Sequence, residues 1–437
     1  MADLPDEISG LPSLVVANEQ GEVFEVPELK MVGQSVHSVH LPEERELIRI
    51  PYGSDLFVLE NRVPFGYDPE RGELVRLETY RGKRVLPVAA FMAPAHTWIY
   101  RAAYESLPNA PDLPLYAYTA VGWRNEAFWV TGVRVDDDVR QDPAQFNPRE
   151  IERAAERMLV RYANNRLVRH LVENCVRRYG CPAARNFVLE RWECPVPTSP
   201  GCNANCVGCL SYQPPESFAP AQERIDFVPT VEEIVEFTVP HLESAPNAVV
   251  SFGQGCEGEP LTVADVIEAA IREMRKRTDR GTINVNTNAS DPEAVERLCK
   301  AGLDAIRVSL NSAQRGFYER YFRPLDYSFE DVLDSIRVAK RHGCWVSLNY
   351  FVFPGFTDHP GEMAAFFELV ETYRVDMIQT RNLNLDPEVY IRALRLEALD
   401  DSDSVGVLTW LDQVRARFPW VRIGYFNPAV RRREGAR

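Results

Sequence analysis

The sequence predicts an α/β protein: a partial (β/α)6 barrel in the C-terminal part, preceded by a β-rich N-terminal domain and a linking helical segment. Three observations lead there. From Asn186 onward, short apolar runs alternate with amphipathic helices, and that alternation means parallel β/α units. Between Leu11 and Val133, short strand-like runs are punctuated by prolines and glycines. Between these regions, Asn147-Pro148 opens a helical repeat with proline at the first helical position. The expected divisions are residues 1–145, 146–185 and 186–437.

In the first region, Ser13-Leu14-Val15-Val16-Ala17 and Val23-Phe24-Glu25-Val26 flank Asn18-Glu19-Gln20-Gly21 as a hairpin would. Further strands are expected at Glu46–Pro51, Asp55–Leu59, Tyr116–Val121 and Ala127–Val130. In the linking segment, Ile151, Ala154, Ala155, Met158, Leu159 and Tyr162 recur at helical spacing, and the pattern runs on through Leu167, Leu171 and Cys175. It reads as one long helix or two short ones. Barrel strands are expected at Asn186–Glu190, Ala248–Phe252, Ile283–Asn288, Ala305–Leu310, Trp345–Tyr350 and Asp376–Arg381. The intervening helices have readable ends: Thr262 as a cap, Asp291-Pro292 opening a helix that Gly302 closes, and Ser328 with Asp331 as a capping box before a helix ending at Gly343. Six units fit in about 200 residues, whereas an eight-unit barrel usually takes ~250, so the barrel is expected to be partial and open.

Strand faces add a functional expectation. By the period of two, Asn284, Asn286 and Asn288 share a face, as do Arg307, Ser309 and Asn311, Ser347 and Asn349, and Gln379 and Arg381. Ile283, Val285, Ile306, Val308, Val346, Leu348 and Ile378 lie opposite and should meet the helices. So many polar groups cannot be buried dry and unpaired, so the interior should hold water or a polar ligand.

Composition excludes some classes. The chain has 437 residues, 45% hydrophobic and 26% charged, the balance of a soluble globular protein. No apolar run is long enough to span a bilayer, and the acidic Met1–Glu7 lacks an apolar signal core, so no membrane role and a cytoplasmic location are expected. A formal net charge of −15 argues against nucleic acid as partner. Nine cysteines, three of them in one short loop, favour metal over disulfides.

That loop is Cys202-Asn203-Ala204-Asn205-Cys206-Val207-Gly208-Cys209, with three thiols in eight residues. A tight loop of this size can point three sulfurs at one metal centre. Three cysteines on a [4Fe–4S] cube would leave one iron open to a small molecule. A structural zinc completed by Cys194 or a histidine, or unrelated buried thiols, are the other readings of the spacing. Downstream, Gly253-Gln254-Gly255-Cys256-Glu257-Gly258-Glu259-Pro260 follows the second strand; glycines there let backbone approach a ligand, and a carboxylate can accept from an ammonium group.

The CxxxCxxC loop, Gly258-Glu259-Pro260, the ends of strands three and four, the order Tyr318, Tyr321, Arg323, Pro324, and Phe353-Pro354-Gly355 together resemble the radical S-adenosylmethionine (radical SAM) superfamily over about residues 187–385. The subfamily is not identified. One departure is Gly208, where the family often carries an aromatic residue near the adenine.

The resemblance implies a [4Fe–4S] cluster on Cys202, Cys206 and Cys209. It implies S-adenosylmethionine bound through Gly258, Glu259 and Pro260 at its amine, with Asn286, Asn288, Arg307, Ser309 and Asn349 lining the cofactor cavity. It further implies reductive cleavage to methionine and a 5′-deoxyadenosyl radical that takes hydrogen from a substrate carbon. Flavodoxin or ferredoxin is the kind of one-electron donor required. Alternatives are a non-catalytic iron–sulfur or zinc protein, and a peptide- or RNA-modifying member of the superfamily. Cys175, Cys181, Cys194 and Cys256 are candidates for an auxiliary cluster; Cys299 and Cys344 read as buried thiols. Gln379, Arg381, Asn382 and Asn384, at the end of the sixth strand, are candidate substrate contacts, because that end of a barrel faces the reaction. The N-terminal domain is expected to cover the barrel mouth and select substrate.

Overall fold

The computed structural model describes residue 8 and residues 10–215 and 217–430; the acidic Met1–Glu7 lies outside them. The chain forms two compact units. The first takes residues through Asp137, then Phe351–Ala365 and Thr380–Arg417. The second takes Asp138–Tyr350, Phe366–Gln379 and the residues from Phe418.

In the first unit, the described N-terminal residues form a 14-stranded antiparallel sheet. Ser13–Ala17 pairs with Val23–Lys30, as the turn sequence between them predicts. Thr119–Arg124 pairs with Ala127–Arg134 across Asn125-Glu126, both at positive φ. This strand begins three residues later than its expected start at Tyr116. Leu14, Val16, Val26, Leu29 and Val85 make one apolar cluster. Leu59, Ala89, Ala102, Tyr104, Leu113 and Tyr118 make another.

The second unit begins with helices. Helix α1 (Pro148–Arg161) starts at Asn147, whose side chain accepts from Arg149 N and Glu150 N. Asn165 caps α2 (Arg166–His170), which runs on as a π-helical stretch, Leu171–Arg178. Helix α3 (Pro182–Val188) occupies the place expected for the first strand. A short apolar run cannot be told from a buried helix by periodicity alone, and Pro182 at the first helical position tips the balance.

The parallel sheet then follows in chain order: β1 (Glu193–Val196), β2 (Val249–Phe252), β3 (Thr282–Thr287), β4 (Ala305–Leu310), β5 (Trp345–Val352), β6 (Met377–Asn382) and β7 (Arg422–Gly424). The three-residue β7 is a seventh strand, pairing parallel to β6, beyond the six expected. The α/β class and the parallel barrel sheet preceded by an antiparallel β-rich domain are as the sequence predicts.

Helix α4 (Val231–Ser244) connects β1 to β2, and α5 (Ala264–Arg277) connects β2 to β3. Thr262 does not cap α5: it sits in a 3-10 turn, Pro260–Val263, and its hydroxyl donates to Glu259 O at 2.7 Å. Helix α6 (Pro292–Ala301) has Asp291 as N-cap and Gly302 at φ +115 as its end. After α7 (Arg315–Phe322), helix α8 (Phe329–Arg341) carries the Ser328/Asp331 capping box. Among the described residues, no helix is long and apolar enough to cross a membrane.

The alternation read from the strands holds in space. Ile283, Val285, Ile306, Val308, Val346, Leu348 and Ile378 are wholly buried. On the other face, Asn286 pairs in register with Arg307, Arg307 with Ser347, and Ser309 with Asn349.

Candidate functional site

Two straps hold the cysteine loop, and each depends on local sequence. Below it, Gly258 N donates to Ser199 O at 2.7 Å and Glu259 N to Gly201 O at 2.8 Å. A Cβ on residue 258 would lie 1.8 Å from Gly201 O, so only glycine permits this approach. Above it, Asn205 N donates to Phe322 O, Val207 N to Tyr321 O and Leu325 N to Asn203 O, with a bridge between Ala204 and Pro324. The segment from Tyr318 to Pro324 thus clasps the loop through its backbone. Asn203 adds a side-chain tie: it accepts from Asn288 Nδ2 at 2.9 Å and donates to Ser290 Oγ and Asp326 Oδ1.

The three thiols are half-buried and close enough to act on one another. Burial first, then the Glu259 charge, pushes Cys202 up to about 11. Burial and the two neighbouring thiols hold Cys206 well above the ordinary thiol value. A donor set of three soft sulfurs, two of them held from ionising by burial, suits an iron–sulfur cluster, which supplies the compensating charge. The residues present therefore fit such a group. Arg224 is the nearby basic residue: Nη2 reaches Cys209 Sγ at 3.6 Å and Nε donates to Ser211 Oγ at 3.1 Å.

Glu259 is 5% exposed. Its carboxyl accepts from Leu261 N at 3.0 Å, Asn288 N at 2.8 Å and the Thr287 hydroxyl. A carboxylate has about four acceptor sites, so these donors leave about one for a ligand. Burial pushes its pKa up to about 7 against the pull of those donors; a bound ammonium would favour the charged form. Glu257, also pushed up to about 7 by burial, is engaged differently. It accepts from Thr198 N at 2.7 Å, Ser199 N at 3.0 Å and Gln254 N at 2.6 Å, so it joins the loop after β2 to the residues just before the cysteines.

The polar strand face partly satisfies itself. Asn284 Nδ2 donates to Asn286 Oδ1 at 2.8 Å, Asn286 Nδ2 to Gly253 O at 2.6 Å, and Arg307 Nη1 to Gln379 Oε1 at 3.4 Å. Gly253, at φ +78, could not carry a Cβ, which would fall 1.8 Å from Asn286 O. Asn427, after β7, completes the network: Nδ2 donates to Ser251 Oγ and Asn286 Oδ1, and Oδ1 accepts from Gln379 Nε2 at 3.1 Å. Arg307, Ser309 and Asn349 are half-buried, whereas Asn286, Asn288 and Gln379 are buried. Asn311 turns away to donate to Phe317 O.

The other candidate substrate contacts separate. Asn382 accepts from Trp98 N at 2.9 Å and donates to His96 O at 3.2 Å, so its amide is already engaged within the first unit. Arg381 and Asn384 are half-buried. Sequence reasoning missed Glu257, Arg224, Asn203 and Asn427. The first and third stand inside quoted motifs and could have been found there; Arg224 and Asn427 carry no local signal.

The site is thus a parallel β/α sheet with a three-cysteine loop strapped beside a glycine–glutamate turn. Residues 196–367 match the family model for the radical SAM superfamily. It is 32% identical over 156 residues to an AdoMet-dependent heme synthase of Methanosarcina barkeri, covering 35% of this chain and 39% of that one. It is 28% identical over 164 residues to a GTP 3′,8-cyclase of Lactiplantibacillus plantarum, covering 36% and 44%. The chain thus spans less than half the length of these curated relatives. Among solved structures, methylornithine synthase is similar at a TM-score of 0.38 and 14% identity, over 64% of this chain and 71% of that one. The family implies a [4Fe–4S] cluster, S-adenosylmethionine and an external reductant.

Proposed function

We propose that this chain binds a [4Fe–4S] cluster through Cys202, Cys206 and Cys209 and cleaves S-adenosylmethionine reductively to begin a radical reaction on a substrate carbon. The observation that carries this reading is the convergence on the cysteine loop. Gly201 O takes the Glu259 N–H, and Asn203 takes the Asn288 amide, so the loop, the turn after β2 and the end of β3 share hydrogen bonds. When bound, the cluster supplies the electron that splits the sulfonium C–S bond.

The chain's own residues do the rest. Glu259 offers its remaining acceptor site to the methionine amine, with Gly258 and Pro260 setting the turn. Asn286, Asn288, Arg307, Ser309 and Asn349 offer hydrogen bonds along the cofactor, and half-buried Arg307 offers a cationic partner for its carboxylate. Gln379, held between Arg307 and Asn427, is the favoured substrate contact of the four expected; Arg381 and Asn384 remain candidates. The net charge of −15 supports a small or peptide substrate over RNA. A flavodoxin- or ferredoxin-type protein is the proposed electron donor.

The test is anaerobic. The protein is reconstituted with iron and sulfide, reduced with dithionite, given S-adenosylmethionine, and assayed for 5′-deoxyadenosine beside Cys206→Ala. Product from the wild type, and none above background from the variant that lacks one cluster ligand, is expected. A chain that takes up no iron, but holds zinc that Cys206→Ala releases, would overturn the reading.

A further inference from the structure

A second group of metal-ligating side chains lies outside the cysteine loop. One ligand atom each from His170, Cys175 and Cys256 fall within 4.8 Å of one another. Both thiols are buried, and among the described residues His170 Nε2 is a buried nitrogen with no hydrogen-bond partner.

The backbone is shaped to bring them together. In an α-helix, residues five apart point about 140° away from each other. Here the helix changes to π geometry directly after His170, over Leu171–Arg178, and i→i+5 bonding returns the fifth residue to the same side. That places Cys175 beside His170. Cys256 comes from the turn after β2, held by the bond from Ile225 N to Cys256 O at 2.8 Å.

The separation of the sulfurs identifies the kind of metal. Cys175 Sγ and Cys256 Sγ are 3.7 Å apart. Two thiolates on one tetrahedral zinc, each about 2.3 Å from the ion, stand about 3.8 Å apart. A disulfide needs about 2.05 Å. Thiolates on separate irons of a cluster stand farther apart than on a single ion. Histidine with cysteine is also a common zinc donor set.

We propose that His170, Cys175 and Cys256 bind a single zinc ion, separate from the three-cysteine loop and structural in role. The fourth position falls to Cys181 or to water. The backbone N–H of Cys181 donates to Cys175 O at 2.8 Å, which brings that residue beside the site. The ion fastens the turn that carries Glu257, Gly258 and Glu259 to the π-helical segment. Being redox-inert, it would hold that turn without taking electrons. The site stands whether or not the loop cysteines carry a cluster.

The test uses the full chain with Cys202, Cys206 and Cys209 all replaced by alanine, so that zinc is counted without cluster iron. Elemental analysis should find about one zinc per chain, falling at least about tenfold when His170→Ala, Cys175→Ser and Cys256→Ser are added. Should the combined variant fold poorly, cobalt(II) added to the chelator-stripped parent gives the second measurement. Tetrahedral visible bands with thiolate-to-cobalt charge transfer are expected, weakened by Cys256→Ser alone. A folded parent that binds neither zinc nor cobalt would overturn the proposal. So would a Cys175–Cys256 disulfide, an iron–sulfur chromophore in the parent, or full zinc retained by the combined variant.

Discussion

At the scale of single residues, the site depends on which atoms are permitted to approach. Gly258 shows this most directly, because its missing side chain lets the turn after β2 hydrogen-bond to Ser199 and Gly201. In Gly258→Ala, the new methyl would meet Gly201 O at 1.8 Å, a carbonyl that cannot swing aside as a flexible side chain can. The strap must open, and both the cysteine loop and Glu259 must move. We expect iron uptake after anaerobic reconstitution to fall about tenfold while the far-ultraviolet circular dichroism is unchanged, since losing the groups that orient metal ligands costs about 10–100-fold in metal affinity. Wild-type iron content in the variant would show that the close approach does not position the loop. Arg224 acts at the same scale: a guanidinium 3.6 Å from Cys209 Sγ places positive charge beside one of the three sulfurs.

At the scale of elements, the first unit offers the clearest case. A short 3-10 helix, Asp401–Asp403, begins with a carboxylate that accepts from Ser35 Oγ at 2.5 Å, His37 N at 2.8 Å, Ser38 N at 3.1 Å and Ser38 Oγ at 2.7 Å. One side chain thereby fixes the turn between the paired strands Gly33–Gln34 and Val39–His40. Burial alone would raise the Asp401 pKa, but these donors outweigh it and hold the group at about 2. The folded value is depressed, so the stabilisation is fully present above the unfolded value near pH 4 and is lost as pH falls toward about 2. Asp401→Asn should cost about 2 kcal/mol at neutral pH, the usual worth of hydrogen bonds to a charged group. Denaturant unfolding from pH 6 to pH 3 should show the gap between wild type and variant narrowing by about half at the acid end. A constant gap would mean that the carboxylate charge is not what holds the turn.

At the scale of the whole molecule, the chain returns from its sixth parallel strand to partners near its beginning. Arg62 Nη2 meets Asp386 Oδ2 at 3.0 Å, with both side chains 1% exposed. Arg62 also donates to Glu60 O and Pro111 O, and Asp386 accepts from Leu113 N. Thr97 and Thr380 share a hydroxyl bond of 2.7 Å, and the Trp98 indole donates to Val352 O at 2.8 Å. These contacts make the ends of β5 and β6, and the segments that follow them, part of the first unit. Removing one partner of a buried pair leaves the other charge uncompensated, so Arg62→Ala should destabilise the chain by about 3–5 kcal/mol. Arg62→Met with Asp386→Leu should recover most of that loss in denaturant unfolding. A double variant no more stable than Arg62→Ala would show that the surrounding backbone donors, not the charge, set the cost.

What the sequence alone determined is local in origin. The spacing of Cys202, Cys206 and Cys209 is a property of eight consecutive residues. The polar and apolar faces of β3 and β4 follow from the alternation that any strand imposes, and the caps at Asp291 and Ser328 from side chains that reach their own helix. The superfamily was legible for the same reason, since its motifs lie along short stretches. Where local signals were ambiguous, tertiary packing decided: Asn186–Val188 became the end of a helix, and Arg422–Gly424 found a strand partner in β6. The gathering of His170, Cys175 and Cys256, the place of Asn427 in the polar interior, and the burial of Asp386 against Arg62 all needed the fold. Each joins residues whose separation along the chain, or whose helix geometry, no local pattern encodes.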